Sequence, residues 1–143
     1  MTDGTFSEDV VVVAGGTKYP TSEETLKQGL HKLDVLDSQG MKSRLEEKSM
    51  KNFVTVIKRA LKKSGYLVTD IDYIAILHMK KSAHDFLLDE LGLNKEQSIY
   101  LEDYGHIGQI DQILSLQLAE QQGKLRGGDI VVLVSAGIGY AWG

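Results

Sequence analysis

No cysteine occurs anywhere in the 143 residues. That excludes disulfide cross-links, thiolate metal sites and any reaction in which a thiol of this chain is the nucleophile. Proline occurs once, at Pro20, and aromatic residues make up 7% of the chain. No apolar run approaches the roughly 18 residues of a membrane span. Net positive charge is also missing: the formal balance is −4, so no global basic field is available for nucleic acid. No His-x-x-x-His pair accompanies the absent cysteines, which argues against a zinc site. Met1 leads straight into Thr2-Asp3-Gly4 without an apolar leader, and the expected compartment is the cytoplasm.

What is present has the apolar content (42%) and charged content (25%) of a single globular domain. Residues 1–45 are less regular than the rest. They hold a strand at Val10 to Ala14, a Gly15-Gly16 break, and a capping box in Thr21-Ser22-Glu23-Glu24 ahead of a short helix. From about Glu46 the periodicity sharpens. Met50, Phe53, Val54, Ile57 and Leu61 mark an amphipathic helix that ends near Gly65. Asp72 to Leu77 reads as a strand, and Ser82 with Asp85 as the cap of a helix reaching Leu91 and Gly92. Ser98 to Leu101 reads as a short strand. Ile107 to Gln122 reads as a helix with Ile110, Ile113, Leu114 and Leu118 inward. After Gly127-Gly128, Asp129 to Ser135 is the most hydrophobic strand, and Tyr140-Ala141-Trp142 a last one.

Strands alternating with helices predict an α/β fold with a mostly parallel sheet. Near-continuous apolar strands such as Ile130 to Val134 predict helices on both faces. Ligands of such sheets bind beyond the carboxyl ends of the strands, where this chain has His78, His106 and the Gly137-Ile138-Gly139 turn. His106 is expected at a helix N-terminus, where the dipole disfavours imidazolium and a neutral ring donates to a developing oxyanion. His31 and His84 lack such context and read as structural or exposed. A glycine-rich phosphate loop needs a following helix, and here a strand follows, so a nucleotide-binding module ranks last. Lys58-Arg59, Lys62-Lys63 and Lys80-Lys81 are local basic pairs, ordinarily solvated and otherwise suited to an acidic partner.

Three motifs occur in order: Asp70-Ile71-Asp72-Tyr73 running into His78, Tyr104-Gly105-His106, and Ser135 to Gly143. Together, over about Glu46 to Gly143, they resemble the C-terminal half of 3-oxoacyl-acyl carrier protein synthase III, a condensing enzyme of the thiolase-like superfamily. Thr2-Asp3-Gly4-Thr5 is similar to the Ser-Asp-Gly-Ser of that family's connecting segment, so residues 1–45 are expected to form a connecting or cap segment and 46–143 the C-terminal domain. The resemblance implies a thiolase-like half with a final antiparallel strand, truncated at Gly143 relative to the family.

It also implies chemistry. In the family an acyl group passes from acyl-coenzyme A to a cysteine. Malonyl-acyl carrier protein then loses carbon dioxide and its carbanion attacks the thioester. The resemblance gives His78 and His106 the enolate-stabilising roles, and the Ile138 amide a place in the oxyanion hole. Gly105, Gly137 and Gly139 would shape the site, and Lys80 and Lys81 would meet the carrier protein. No cofactor is implied beyond the thioester substrates, and no metal. The implied partners are acyl carrier protein, coenzyme A thioesters, the cysteine-bearing N-terminal half and a second copy in a homodimer.

The chain departs from the family at each position. Leu77-His78-Met79-Lys80-Lys81 stands for Pro-His-Gln-Ala-Asn, and an ungapped match sets Leu77 against the family histidine, a one-residue shift His78. His106 stands for an asparagine, and Ile138 for a glycine. Without a cysteine this chain alone is expected to be inactive. A non-catalytic binding or assembly module, or one subunit of a split enzyme, is the alternative. An apolar face is expected to be exposed where the other half would pack.

Overall fold

A computed structural model describes residues 1–143. Its centre is a two-stranded parallel sheet, β3 (Tyr73–Ile76) beside β4 (Val131–Val134), in the register Tyr73↔Val131 to Ile76↔Val134. The earlier hairpin joins β1 (Val10–Val12) to β2 (Leu33–Val35), and the last joins β5 (Ala136–Gly137) to β6 (Ala141–Trp142), both antiparallel. The helices are α1 (Glu23–Lys27), α2 (Ser38–Ser64), α3 (Lys81–Leu91) and α4 (Asp111–Gln121).

β3 is buried along its whole length, and its alternation divides the core. Ile74 and Ile76 point to one face, where Phe53, Ile57 and Leu61 of α2 meet Leu87, Leu88 and Leu91 of α3. Tyr73 and Ala75 point to the other, against Ala119 of α4. Helices therefore cover both faces of β3, as expected. Each large side chain so buried contributes about 1.5–3 kcal/mol relative to exposure. α2 and α3 both stop at a left-handed glycine, Gly65 (φ 81°) and Gly92 (φ 67°), where a Cβ would strain the backbone.

Several expectations need correction. α2 begins at Ser38, because the Asp37 carboxylate accepts the Gly40 amide at 2.9 Å and starts the helix ahead of its apolar stripe. The helix thus runs unbroken across residue 45. In α1 the capping partner of Ser22 is Thr25 rather than a glutamate. α3 has no side-chain cap: Asp85 pairs with Lys81 one turn earlier instead. Ser98 to Leu101 forms no strand. The Ser98 hydroxyl donates to the Ile74 carbonyl (2.8 Å) and the Gln97 amide group to the Ile71 carbonyl (2.6 Å). The Ser98 side chain thus occupies a β3 carbonyl that a neighbouring strand's amide would need, and Gln97 occupies one just before the strand.

The inward face of α4 also differs: of the four residues expected there, Leu114 and Leu118 are only half-buried. Its buried residues are Asp111, Gln112, Ser115 and Ala119, whereas Ile110 and Ile113 are each 58% exposed. A close helix–sheet approach selects small and hydrogen-bonding groups here. Tyr73 and Ser115 share a hydroxyl contact of 2.7 Å, and the Gln112 side chain donates to the Val134 carbonyl at 3.0 Å. β4 is correspondingly covered on one face only, with Leu133 50% exposed. Ile113, Leu116, Leu125, Val131 and Leu133 line an open, largely apolar groove.

At the other end of the sheet the chain closes on itself. The Asp3 and Tyr140 backbones exchange both hydrogen bonds, and the Trp142 amide donates to the Met1 carbonyl at 2.7 Å. Residues 1–3 therefore lie beside β6, which β5 flanks on the other side, and the antiparallel ending extends to a third segment. Phe6 is fully buried against Tyr140 and Trp142, at 5.0 and 6.1 Å between ring centres.

Candidate functional site

The carboxyl end of β3 opens directly onto the site. The Leu77 amide donates to the Val134 carbonyl (3.1 Å), the last rung of the β3–β4 ladder. The next residue, His78, has no strand to bond. Its amide donates to Asp111 Oδ2 at 2.8 Å instead. Asp111 is the first residue of α4 and is 0% exposed. The same Oδ2 contacts His106 Nδ1 at 2.6 Å, and Oδ1 accepts the Ile107 amide at 2.8 Å. One buried carboxylate thus ties the end of β3 to the segment before α4, drawing together residues 33 positions apart.

The electrostatics follow from that geometry. Burial by itself raises the carboxyl pKa of Asp111, but the His78 and Ile107 amides and the His106 ring all donate to it. Their sum holds it below the ordinary carboxylate range. The first turn of α4 also favours negative charge at this position. His106 does not sit on that helix. A 3₁₀ turn at Gly108–Ile110 intervenes, and Gly105 (φ 69°) and Gly108 (φ 80°) bend the chain so that the ring returns over Asp111. The expectation that a helix dipole keeps His106 neutral is therefore replaced: its immediate partner is an anion. The ring itself is 56% exposed, with the carboxylate beneath it.

His78 is half-buried. Its ring packs on Tyr100 with centres 4.9 Å apart and planes at 30°, and its Nδ1 is buried without a hydrogen-bond partner. Tyr100 is fixed by its hydroxyl, which donates to the Met79 carbonyl at 3.1 Å. Behind it lies His84, which the sequence left as structural or exposed and which is buried. It meets the edge of Tyr100 at 5.3 Å. Burial, with help from the Lys81 charge, pushes the His84 pKa down to about 4. Lys81 itself pairs with Asp85 and stands 5.2 Å from the Tyr100 ring centre, so its charge is engaged within the chain. Lys80 is exposed at the start of α3.

The third expected element is the hairpin turn at Ile138–Tyr140 between β5 and β6. Gly139 (φ 114°) is left-handed, whereas Gly137 is ordinary extended backbone paired with Ala141. Ile138 is exposed, and its amide makes no hydrogen bond within the chain. The structure joins His78 and His106 through Asp111. It joins neither to Ile138 by a hydrogen bond or aromatic contact. Asp111 and Tyr100 were missed in the sequence. The available signal for Asp111 was an acidic residue at a helix start, shortly after a histidine flanked by glycines.

The sequence profile of the family described as "3-Oxoacyl-[acyl-carrier-protein (ACP)] synthase III C terminal" matches residues 61–143. Beta-ketoacyl-[acyl-carrier-protein] synthase III of Clostridioides difficile is 30% identical over 99% of this chain and 42% of its own length. The enzyme of that name from Symbiobacterium thermophilum is 32% identical over 91% of this chain and 38% of its length. The chain thus spans about two-fifths of the relatives it matches. Crystal structures of 3-oxoacyl-(acyl carrier protein) synthase III share the fold. The Pseudomonas aeruginosa protein superposes with TM-score 0.77 at 17% identity, and the Thermus thermophilus protein with 0.76 at 22%. Each covers 99% of this chain, and the match takes up 41% and 42% of those structures, respectively. The chain belongs to the 3-oxoacyl-acyl carrier protein synthase III C-terminal family and has the α/β fold of that enzyme's carboxyl-terminal half.

Proposed function

We propose that this chain is the carboxyl-terminal part of a condensing acyltransferase that joins an acyl group from acyl-coenzyme A to malonyl-acyl carrier protein, the opening condensation of fatty acid synthesis. Family membership supports the reaction class. The observation that carries the reading is the meeting of the His78 main-chain amide and the His106 ring on Asp111, at the sheet edge where an α/β enzyme binds its ligand. An acyl-cysteine supplied by the rest of the protein would be attacked by the carbanion left when malonyl thioester loses carbon dioxide. The histidines would face the malonyl thioester oxygen, where charge develops, and the unbonded Ile138 amide would serve the oxyanion hole. Gly105 and Gly139 would hold the bends that bring these groups to the edge.

The chain lacks the cysteine that the family uses as nucleophile, and we propose that it is inactive alone. Acyl carrier protein, an acidic partner, would approach the exposed Lys80. Lys81 contributes less because Asp85 balances it. The remaining expectations belong to the same proposal: a cytoplasmic homodimer, residues 1–45 as a connecting segment, and no cofactor besides the thioesters. No helix is long and apolar enough to cross a membrane.

The test is to incubate the full-length protein that carries this chain with acetyl-coenzyme A and malonyl-acyl carrier protein. Carbon dioxide and 3-oxoacyl product should appear together, and His78→Ala should lose both while still taking up an acyl group. A folded protein that neither loads acyl nor releases carbon dioxide refutes the proposal in favour of a non-catalytic assembly module.

A further inference from the structure

We infer that His106 and Asp111 form a general-base dyad directed at a hydroxyl-bearing acceptor, so that this site passes an acyl group to oxygen. The argument begins with the proton. Asp111 is ionised and already accepts two backbone amides. It has no proton to offer His106, so the proton in the 2.6 Å contact belongs to Nδ1. In the neutral ring Nε2 therefore carries a lone pair. The ring lies on the exposed side of the carboxylate, with Nε2 the nitrogen not bound to it. A carboxylate that fixes Nδ1–H and leaves Nε2 to take a proton is the arrangement of a nucleophile-activating histidine.

The acceptor chemistry follows from which nitrogen is occupied. An asparagine donates its side-chain N–H to a substrate oxygen. As imidazolium, His106 donates at Nε2 to the thioester oxygen of the condensation; as the neutral ring it accepts there. Decarboxylative attack needs no base, because loss of carbon dioxide itself creates the carbanion. An alcohol does need one, since its oxygen is a poor nucleophile until its proton leaves. In the step proposed, Nε2 takes the hydroxyl proton as oxygen bonds to the acyl carbon. The carbon–sulfur bond of the acyl thioester breaks, and the departing thiolate takes the proton back from Nε2. The products are an ester and a free thiol.

The dyad rests on the condensing-enzyme reading only for its acyl thioester. His78 keeps its place beside the thioester oxygen, and Asp111 acts through His106 as a positioning residue. The dyad therefore separates from that reading experimentally.

The first measurement uses this chain itself, labelled with nitrogen-15 on histidine, with His106→Asn to assign the signals. The neutral His106 ring should show a protonated Nδ1 and a bare Nε2, and Asp111→Asn should shift the ring toward the other tautomer. A wild-type ring protonated at Nε2 overturns the dyad. The second uses the full-length protein loaded from radiolabelled acetyl-coenzyme A, with water and glycerol as hydroxyl probes. Loss of the acyl group, measured per acyl group actually loaded, should slow about 100-fold in both His106→Asn and Asp111→Asn, within the range of general-base catalysis. Unchanged deacylation in both variants overturns the inference even if condensation proceeds. Failure to load at all sinks the condensing-enzyme reading, and the tautomer still decides the dyad.

Discussion

Replacing Asp111 with alanine removes the acceptor of three hydrogen bonds at once, two of them from the main chain of His78 and Ile107. Neither amide has another partner, since His78 lies beyond the β3–β4 ladder and Ile107 lies before α4 begins. Water can reach the amide of Ile107, which is 45% exposed, but the half-buried His78 amide is left without a partner, at a cost of about 1–3 kcal/mol. That is a large share of the roughly 5–15 kcal/mol that holds a domain folded. His106→Ala removes an exposed ring and leaves both amides bonded, and should cost no more than about 1.5 kcal/mol. Urea unfolding followed by circular dichroism measures both variants. The pH dependence adds a sign. Because the folded carboxyl pKa is lowered, its stabilisation is complete above the unfolded value of about 3.9 and is lost as pH falls through the folded one. The alanine variant should lack that contribution to the acid limb. If Asp111→Ala costs no more than His106→Ala, the carboxylate is not the joint between β3 and α4, and the site geometry argued from it fails.

Two further outcomes follow from the same packing. His84 is buried and its pKa lies near 4, below the unfolded value of about 6.5. Its contribution is therefore full above about pH 6.5 and declines toward pH 4 by up to about 1.4 kcal/mol per pH unit, a slope that should vanish from the stability profile of His84→Leu. Profiles of equal slope would mean that the ring is protonated in the folded chain. Tyr73→Phe deletes the hydroxyl shared with Ser115 and should cost about 0.5–1.5 kcal/mol by urea unfolding. A neutral result would show that α4 does not seat on β3 through this contact.

Much of the fold was legible because it follows from periodicity and punctuation. Ile74 and Ile76 of β3, the Phe53–Ile57–Leu61 stripe of α2 and the terminal glycines of α2 and α3 all declare themselves within a few residues. The failures share a cause: each was settled by a distant partner. The apolar stripe of α4 reads as inward until β3 presents Tyr73 and Ala75, which need a small and polar face opposite. Ser98 looks like strand until its hydroxyl takes the Ile74 carbonyl. The histidines were legible by type and by place. Asp111 was not, because His106 precedes the helix and no helical spacing relates the two.

The pairing of residues 1–3 with β6 has a consequence in polymer terms. Bonds between Met1 and Trp142, 141 positions apart, close nearly the whole chain into a ring. Bringing the ends of so long a loop together costs about 4 kcal/mol in chain entropy, which buried neighbours such as Phe6, Tyr140 and Trp142 help to offset. β6 is the strand that carries the Ile138–Tyr140 turn back into the sheet, and it is gripped from both sides, by β5 and by the first residues. The shape of that turn is thus set by residues 1–3, which the chain brings back to β6. A change at Thr2 or Asp3, far from either histidine in sequence, would be felt at Ile138.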